Sequence, residues 1–588
     1  MQNKPLFQEL KELWRFISAR RKGHIGLLFV AIVFASLAEV LSIGAVVPFL
    51  AALTAPETIF ENETLRPAIK YLGFQKAQEI VLPLTLVFVG AAMGAGGARL
   101  LLLWLNTRLS HAIGEELGIE VYRKTLFQPY RVHISKNSSE ILNGVGRAKA
   151  LIAWTIQPIF SMFAGVMIIL SILSFLVALD PVVSLSAIGG FGLVYGLIGL
   201  RIRKRLERNG EILAEESVKV TKAMYEGLGG IRDILLDGIQ DVYCDIYRNS
   251  DRKLNRASVQ NNFLSGSPRS IIETIGMVLM AGFAYYLFRE SKDGLLGALP
   301  LLGSLALGAQ RILPALQIGF SSWSTMKSGQ AYLTDVLQYL RLPLPSHANE
   351  SPPPRREFQN SIRIENLSFK YDADGPLILD YLNLSIPRGA RVGFVGETGS
   401  GKSTLLDIIM ALLEPSSGAI LVDDEPIRAE NVRSWQANIG HVPQSIYLSD
   451  TTIAENIAFG VPRDEIDFER MRTAAARAQI AKHVEGLRLG YDTVVGERGV
   501  RLSGGQRQRI GIARSLYKQA SVLIFDEATS ALDNETEKAV MEAIEGLGED
   551  LTILMIAQHI STVQKCDMIV ELKNGRIQRI GNYQELFA

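Results

Sequence analysis

The sequence predicts two domains of different class: an α-helical transmembrane domain of six spans, followed by an α/β nucleotide-binding domain. Apolar segments concentrate before residue 330, and several reach the ~20 residues that a helix needs to cross a bilayer. In the second half, a glycine-rich loop at 396–403 lies between an apolar run and a helical stretch at 404–413. A second apolar run ends at the acidic pair Asp526 and Glu527. Strand, loop and helix in this order predict a phosphate site on a parallel sheet.

The composition excludes several classes of protein. With 588 residues, a hydrophobic content of 48% and a net charge of +1, the chain is too long for one domain and too apolar for an ordinary soluble protein. The near-neutral charge gives no electrostatic attraction for nucleic acid, so we expect no nucleic-acid partner. Cys244 and Cys566 lie in segments that we place in the cytosol, where no disulfide framework is expected.

Six apolar segments in the first half are predicted to cross a lipid bilayer. The first is too long for a cleaved signal peptide and lacks a convincing small-residue cleavage site. Only residues 179–181 separate the third segment from the fourth, so the count is open at that point. The predicted spans lie near residues 25–53, 80–105, 156–178, 182–200, 270–288 and 295–318.

Basic residues predict the orientation of the spans. They precede the first span and follow the fourth, so both flanks are expected on the cytoplasmic side. An even number of spans then returns the chain to the cytosol, where ATP is available. The basic residues are Lys4, Lys11, Arg15, Arg20, Arg21 and Lys22 before the first span, and Arg201, Arg203, Lys204, Arg205 and Arg208 after the fourth.

Two long polar connections, residues 106–153 and 201–262, are both cytoplasmic in this topology. They show helical periodicity and are too long for ordinary loops. A later proline-dense stretch cannot continue a helix or a central strand, so it is predicted to be a linker. The predicted organisation is a transmembrane domain with cytosolic helical extensions at 1–340, a linker at 341–359 and a nucleotide-binding domain at 360–588.

The glycine-rich loop is predicted to hold the phosphates of a nucleotide. Its backbone N–H groups and the positive end of the following helix would point at phosphate oxygens. Lys402 is expected to reach the outer phosphates, and the Ser403 hydroxyl to bind Mg²⁺. The residues of the loop and the helix start are Gly396, Glu397, Thr398, Gly399, Ser400, Gly401, Lys402, Ser403 and Thr404.

Two further motifs complete the predicted site. Asp526 suits Mg²⁺ binding, and Glu527 suits polarisation of the attacking water. Ser503, Gly505 and Gln506 open a helix within the segment Leu-Ser-Gly-Gly-Gln. A serine and two glycines at a helix start favour a second anion-binding cradle, with a plain glycine-rich helix cap as the alternative.

On these motifs the chain resembles the ATP-binding cassette family, and in particular its exporter half-transporters. The resemblance implies that Tyr371 stacks on adenine, although an aromatic residue between strands is also typical of core packing. It implies that Gln444 senses Mg²⁺ and contacts the membrane domain. It also implies that Ser503 and Gly505 act on ATP held by the partner subunit's Lys402, so that a homodimer completes each site.

The resemblance also gives the two cytosolic segments a role. In exporters of this type, the second and third spans, and likewise the fourth and fifth, extend into the cytosol and are joined by short coupling helices. These are expected near residues 129–138 and 230–240. The alternative is an exposed amphipathic pair of helices.

One position departs from the family pattern. The family's Ile-Ala-His-Arg-Leu-Ser-Thr appears here as Ile-Ala-Gln-His-Ile-Ser-Thr, which puts Gln558 where a histidine that contacts the γ-phosphate is expected. A glutamine amide donates a hydrogen bond but carries no proton or charge, so we expect slower hydrolysis. His559 would take this role only if the strand end slipped by one residue, which turns its side chain to the other face.

Charged residues inside the apolar segments are candidates for substrate binding. An arginine at the centre of a membrane helix costs roughly 2.5–3.5 kcal/mol and usually faces a cavity or a partner. Arg311 has apolar sequence on both sides. Arg99 and Arg269 lie toward predicted cytoplasmic ends, where snorkelling is the alternative, and Arg269 is also spaced for an i, i+4 ion pair with Glu273. In a homodimer the three arginines predict a belt of six guanidinium groups, which suit phosphate.

The membrane half resembles the bacterial flippases of lipid-linked oligosaccharides and their surface-polysaccharide relatives. The similarity lies in Ala-Glu-Val-Leu-Ser-Ile-Gly at 38–44, Ser-Pro-Arg at 267–269 and Gln-Arg-Ile-Leu-Pro at 310–314. It implies a multi-pass protein of the bacterial cytoplasmic (inner) membrane that uses ATP and Mg²⁺ to move a polyprenyl pyrophosphate glycan. Two alternatives are an exporter of peptides, drugs or other lipids, and an ATP-binding regulator without transport.

Overall fold

The computed structural model divides into two compact units. Met1–Gln128 and Lys136–Leu344 form the first unit, and Pro129–Ser135 with Pro345–Ala588 form the second. The short segment Pro129–Ser135 therefore belongs with the nucleotide-binding half, although its neighbours in the chain do not. The residues that the structure describes are 5–54, 56–60, 74–135, 138–179, 181–290, 294–351, 353–372, 374–526, 541–542, 544, 546, 551–557 and 560–587.

Helices make up the regular structure of the chain before the linker, within the described residues. In chain order they are α1 (Leu6–Phe16), α2 (Ala19–Gly44), α3 (Val46–Thr54), α4 (Pro56–Phe60), α5 (Val81–Leu126), α6 (Tyr130–Ser135), α7 (Ser138–Leu151), α8 (Gln157–Leu179), α9 (Pro181–Gly229), α10 (Ile231–Asp237), α11 (Gln240–Glu290), α12 (Gly294–Ser328) and α13 (Gln330–Leu340).

Three helical segments among the described residues are long and apolar enough to cross a membrane. They are Ala19–Leu53, Ala77–Leu126 and Gly146–Phe175. Their positions agree with the first three predicted spans. The last three predicted spans fall in α9, α11 and α12, and each of these helices includes side chains outside the described part of the chain. Those three spans therefore stay predictions.

The helices α5, α9 and α11 are much longer than a bilayer requires. They contain 46, 49 and 51 residues, which at 1.5 Å per residue corresponds to roughly 70–77 Å. A hydrocarbon core is only ~30 Å thick, so a large part of each helix extends beyond it. The short helices α6 and α10 lie at the two positions that the sequence predicts for coupling helices.

The helix α13 ends the first unit and is held there by charged side chains of other helices. Glu9 on α1 accepts hydrogen bonds from Thr334 at 2.6 Å and from Gln330 at 3.1 Å. Arg147 on α7 forms an ion pair with Asp335. Buried or half-buried charges need such partners to offset the loss of hydration. These contacts fix the last helix before the linker.

The second unit contains two β-sheets. Its strands are β1 (Ser361–Phe369), β2 (Leu379–Pro387), β3 (Arg391–Val395), β4 (Ser417–Val422), β5 (Glu425–Pro426), β6 (Ile439–Val442), β7 (Val522–Asp526), β8 (Thr552–Ile556), β9 (Met568–Lys573) and β10 (Arg576–Gly581). One sheet is antiparallel with the order β2-β1-β4-β5, and the other has the order β10-β9-β3-β8-β7-β6. In the larger sheet all pairs are parallel except β9 with β10.

The helices of the second unit pack around the parallel sheet. They are α14 (Lys402–Ile409), α15 (Val432–Gln436), α16 (Ile453–Ile457), α17 (Phe468–Arg477), α18 (Ala481–Glu485), α19 (Gly504–Tyr517) and α20 (Tyr583–Phe587). The sequence predicted a helix at 404–413, but α14 ends earlier because Ala411 adopts a φ of 53°, which no α-helix accommodates.

The strands β3 and β7 carry the predicted site residues to one edge of the sheet. β3 pairs with β8 and β8 with β7, all parallel, so the carboxyl ends of β3 and β7 lie at the same edge. Val522–Asp526 is buried along all but its last residue, because helices cover both faces of a parallel sheet. The predicted buried strand that ends at Asp526 is confirmed.

Candidate functional site

The glycine-rich loop lies between β3 and α14 and is shaped by glycines at two positions. Gly396 has a φ of 145° and Gly401 a φ of 99°, where a side chain is strained. A Cβ atom at Gly396 would lie 2.1 Å from the carbonyl oxygen of Leu572, and one at Gly401 would lie 2.6 Å from Leu379 Cδ2. Only glycine fits either position. The loop backbone can therefore wrap around the N-terminus of α14.

Lys402 is buried, and its ammonium group is turned onto its own loop. The Nζ atom donates to the carbonyl oxygens of Gly396 at 2.8 Å and Glu397 at 2.9 Å, and to Ser400 Oγ at 3.4 Å. These acceptors are neutral. The charged oxygens of a phosphate are stronger acceptors for an ammonium group. The loop tip at 397–399 is exposed, so a phosphate can reach it.

Two carboxylates lie next to the start of α14. The Ser403 hydroxyl donates to Asp526 Oδ1 at 3.4 Å, and burial raises the pKa of Asp526 although this bond and Lys402 lower it. Burial, with the negative charge of Asp526, also raises the pKa of Asp407 to about 6. Carboxylates whose charge is disfavoured in this way gain from a nearby cation. Ser403 and Asp526 therefore fit Mg²⁺.

The described residues contain no group of three or more His, Cys, Asp and Glu side chains that could hold a metal ion alone. This agrees with Mg²⁺, which is usually bound by one or two protein oxygens together with phosphates and water. Gln444, a further predicted Mg²⁺ ligand, follows β6 and is exposed.

Tyr371 contacts both α14, the helix that follows the glycine-rich loop, and the short helix α6. Its hydroxyl lies 3.2 Å from Thr404 Oγ1, and its ring packs edge-on against Phe369 with centroids 5.0 Å apart. Its carbonyl oxygen accepts a hydrogen bond from the Arg131 guanidinium of α6. Burial raises the pKa of the neighbouring Tyr130. Tyr371 is only half-buried, so part of its ring is available to a nucleotide base.

Ser503 caps the helix that it precedes. Its Oγ atom accepts from the Gln506 N–H at 3.3 Å, and its own N–H donates to Gln506 Oε1 at 2.8 Å. This reciprocal pair is a capping box, so the helix-cap alternative describes Ser503 within the single chain. The serine is nevertheless exposed, while Gly505 behind it is buried. Such an exposed N-terminus is suited to an anion that arrives from outside the chain.

Two predicted catalytic residues, Glu527 and Gln558, lie outside the described residues, and so does His559. Their roles stay predictions. The strands that precede them are described: β7 ends at Asp526, and Asp526 pairs with Ile556 at the end of β8.

Two charged residues of the second unit escaped prediction, Asp407 and Arg514. The Arg514 guanidinium, on α19, donates to the carbonyl oxygens of Asn456 at 2.9 Å and Tyr447 at 3.1 Å, and lies 4.4 Å from the ring centroid of Phe459. Burial lowers the pKa of Arg514 to about 10. Both residues share one signal, a charged side chain within an apolar stretch of a short helix.

Two of the three candidate substrate arginines have carboxylate neighbours. Arg99 Nε lies 3.6 Å from Glu39 Oε2, and Arg269 Nε lies 2.7 Å from Glu273 Oε1. Glu39 is buried, whereas Glu273 belongs to an i, i+4 pair on one helix. The Arg311 side chain lies outside the described part of the chain, so the three-arginine belt stays a prediction.

Two family models match the chain. Residues 379–530 match the model described as ABC transporter, and residues 23–305 match the model described as ABC transporter transmembrane region. Together they cover most of the sequence, and each falls on the domain that the sequence predicts for it.

Curated relatives and a solved structure agree with these models. The chain is 28% identical over 535 residues to an ATP-dependent lipid A-core flippase of Methylococcus capsulatus, covering 90% of this chain and 88% of the relative. It is 32% identical over 392 residues to an ATP-dependent lipid A-core flippase of Chromobacterium violaceum, covering 66% and 65%. The structure of a bacterial Atm1-family ABC exporter with ATP bound aligns with a TM-score of 0.74 and 24% identity over 95% of this chain and 96% of the other. This last similarity concerns the fold.

Proposed function

Because the chain belongs to the ABC transporter family as an exporter half-transporter, we propose that two copies of it form an ATP-driven flippase for a polyprenyl pyrophosphate glycan. Hydrolysis of ATP coupled to transport across a membrane follows from the family. The homodimer, the bacterial cytoplasmic membrane and the lipid-linked glycan belong to the proposal.

In the nucleotide half, the chain's own residues bind and orient ATP. Lys402 would leave the carbonyl oxygens of Gly396 and Glu397 for the outer phosphates, which are stronger acceptors. Ser403 and Asp526 would hold Mg²⁺, which supplies charge neutralisation at the phosphates. Preorganised donors of this kind stabilise the charge that develops during phosphoryl transfer.

The remaining steps of the cycle rest on the motifs at the edge of the site. Glu527 would orient the attacking water, and Gln558 would donate one neutral hydrogen bond to the γ-phosphate. The partner subunit's Ser503 would close the site from the other side. The helix α6 contacts the backbone of Tyr371 through Arg131, so nucleotide binding can act on the chain between α5 and α7.

The observation that carries the substrate proposal is the presence of arginines within apolar helices. Arg99 has a carboxylate neighbour, Glu39, at 3.6 Å; Glu39 is buried, whereas the Arg99 side chain is 41% exposed, and the two lie in different segments of membrane-spanning length. Charged side chains within segments of this apolar length are costly unless they have a function. A pyrophosphate group would compete with the carboxylate for the guanidinium, because bidentate guanidinium–phosphate pairs are strong.

A second candidate is another lipid, since several relatives are named lipid A-core flippases. Both candidates are lipid flippases, and they differ in the head group. The residues of the nucleotide half are common to both, so only the membrane half distinguishes them. Exporters of peptides or drugs share the same nucleotide motifs.

The test is ATP-dependent flipping in vesicles that contain the purified full-length chain and a polyprenyl pyrophosphate oligosaccharide. Flipping is measured as the fraction of glycan that an added glycosidase can reach. Arg99→Ala is expected to reduce flipping about tenfold while ATP binding stays unchanged, as loss of one charge-assisted phosphate contact predicts.

Arg108→Ala is the matched control, because Arg108 lies on the same helix and stacks on Trp104 at 5.0 Å. It should retain flipping. Transport of a lipid A-core molecule, with none of the polyprenyl pyrophosphate glycan, would support the second candidate. Unchanged flipping by Arg99→Ala would contradict the arginine argument.

A further inference from the structure

The segment that leads into the nucleotide-binding unit is fixed to it by specific contacts, although its sequence predicts only a linker. The Arg356 guanidinium donates to the carbonyl oxygen of Val422 at 2.7 Å and lies 3.0 Å from Glu425 Oε2. The ring of Phe358 is buried edge-on against Trp435 with centroids 5.9 Å apart. The chain enters the second unit at Pro345, so these contacts come shortly after the entry point.

Arg355 makes a different contact from its neighbours in this segment. Its guanidinium donates to the carbonyl oxygens of Lys518 and Gln519. These two carbonyls follow the last residue of α19, where the final turn of a helix leaves acceptors unsatisfied and carries a partial negative charge. A guanidinium with two parallel donors suits this position. Arg355 therefore caps the C-terminal end of α19.

The end of α19 that Arg355 caps leads directly into β7, and we call the connecting residues 518–521 the joint. Residues 518–521 connect α19 to β7, and Gln519 has a φ of 57°, which turns the chain there. Lys518 Nζ donates to the carbonyl oxygens of Gln436 at 2.8 Å and Ile439 at 2.7 Å. The N–H of Ser521 donates to the carbonyl oxygen of Asn438 at 2.9 Å. The joint is thus tied to the chain around β6.

The linker also reaches this joint through its backbone. Asn438 Nδ2 donates to the carbonyl oxygen of Arg356 at 2.6 Å. Arg355 and Arg356 are adjacent in the chain, but their side chains bind different elements. The Arg355 side chain binds the end of α19, while the Arg356 side chain binds the antiparallel sheet at Val422 and Glu425.

The far ends of α19 and β7, away from the joint, each carry a residue of the predicted nucleotide site. α19 has 14 residues and starts at Gly504 immediately after Ser503, a length of about 21 Å. β7 has five residues and ends at Asp526, a length of about 17 Å. A rigid helix and a buried strand transmit a displacement of their shared end to both far ends. A small shift at the joint would thus move Ser503 and Asp526 together.

We propose that Arg355 is a positioning residue for ATP hydrolysis, which ties the linker to the common end of α19 and β7 and so sets the register of Ser503 and Asp526. The loop that binds ATP in the single chain lies on β3 and α14, and the Arg355 contacts do not involve those elements. The contacts of Lys402 with ATP therefore do not depend on Arg355, and we expect its main effect to be on the hydrolytic step, for which Ser503 and Asp526 must be aligned. The proposal depends on the ATPase activity and is independent of the transported substrate.

The test compares Arg355→Ala with the wild-type chain, both full-length and reconstituted in lipid. We expect kcat for ATP hydrolysis to fall about fivefold, as loss of a partly exposed, charge-assisted helix cap predicts. The KM for ATP and the Kd of a fluorescent ATP analogue should change less than about twofold. Arg355→Lys should recover part of kcat, because an ammonium group can still donate to one of the two carbonyls.

Arg356→Ala is the matched control, since it removes the adjacent guanidinium of the same segment without touching α19. It should keep kcat within about twofold of the wild type. The proposal is wrong if Arg355→Ala retains wild-type kcat, if its loss appears only in KM, or if Arg356→Ala lowers kcat equally. Should Arg355→Ala not purify as a folded protein, Arg355→Gln is measured by the same criteria: a kcat below that of Arg355→Lys is expected, and a wild-type kcat would overturn the proposal.

Discussion

At the scale of the residue, Asp407 is a carboxylate beside the predicted phosphate site whose ionisation costs free energy in the folded state. It lies one turn after Ser403 on α14, and burial together with the charge of Asp526 raises its pKa to about 6. The ionised carboxylate is thus disfavoured in the absence of a cation. Its free-energy cost falls on the folded state, because in the unfolded chain an aspartate has a pKa near ~3.9.

The first prediction concerns pH and stability at Asp407. Because its pKa is higher in the folded state, the folded state binds the proton more tightly, and this contribution to stability is complete below about pH 4 and lost as pH rises through about 6. Asp407→Asn removes the ionisable group. We expect it to raise the stability of the nucleotide-binding unit by about 1–2 kcal/mol at pH 8, after allowance for partial exposure.

The measurement is the thermal unfolding midpoint of the purified protein without nucleotide or Mg²⁺, at pH 8 and at pH 4. The gain should shrink toward zero at the lower pH. Glu414→Gln serves as control, because Glu414 is an exposed carboxylate shortly after the same helix. A gain of equal size at both pH values would show that the Asn side chain acts through packing and not through charge.

Residue-level prediction succeeded where a backbone conformation demands glycine. Gly396 and Gly401 are required by their positive φ, so a sequence pattern identifies them, while the role of Lys402 at the phosphates stays a prediction. Asp407 and Arg514 have no such pattern. Their roles depend on neighbours that are distant in the chain, such as Tyr447 for Arg514, and these neighbours become known only from the fold.

At the scale of the element, α19 is the most constrained helix of the nucleotide-binding unit. Ser503 caps its N-terminus and Arg355 caps its C-terminus. Between them, the Arg514 side chain binds the carbonyl oxygen of Asn456 beside the helix. The Arg514 guanidinium also donates to Oδ1 of the buried Asn456 side chain at 3.3 Å. Three independent anchors keep the exposed Ser503 in a defined position.

The second prediction is that Arg514→Ala destabilises the unit by about 1.5–3 kcal/mol, because the carbonyl oxygens of Tyr447 and Asn456 lose a charged donor that is half-buried. The midpoint of chemical unfolding, followed by tryptophan fluorescence, measures this. ATPase activity should fall at temperatures where the folded population is unchanged, since α19 loses its lateral anchor.

Arg509→Ala is a suitable comparison on the same helix. Arg509 donates only at 3.4 Å to Gly505 and at 3.3 Å to Gln479, so its loss should cost less than about 1 kcal/mol. Equal destabilisation by the two variants would show that charge on α19, and not the specific contacts of Arg514, determines stability.

Element-level prediction was most successful for segments with a strong pattern. The apolar run at 522–525 and the short helices α6 and α10 lie where the sequence predicts them. The proline-dense segment was predicted to be a linker, and its attachment to α19 was not foreseen. Arg355 and its acceptors are separated by 163 and 164 positions in the sequence, and no local pattern predicts such a pair.

At the scale of the whole molecule, the predicted residues of the nucleotide site lie on different elements of the single chain. Lys402 and Asp526 lie at the edge of the parallel sheet, whereas Ser503 is exposed at the start of α19. Family membership and the exposed serine together support a dimer in which each chain completes the other's site. Length, hydropathy and motif order predicted this division into a membrane half and a nucleotide half.

The most direct measurement of this claim uses mixed dimers with two differently tagged chains. In one dimer, Lys402→Ala is on one chain and Ser503→Ala on the other. In the second dimer, both substitutions are on one chain and the other chain is wild type. If each site combines Lys402 of one chain with Ser503 of the other, the first dimer keeps one intact site and the second keeps none.

We expect the first mixed dimer to hydrolyse ATP at up to about half the wild-type rate and the second at background, since the loss of either residue removes essential phosphate contacts. If each chain instead builds its site alone, the order reverses, because only the second dimer then contains an undamaged site. Activity in the second dimer with none in the first would contradict the account.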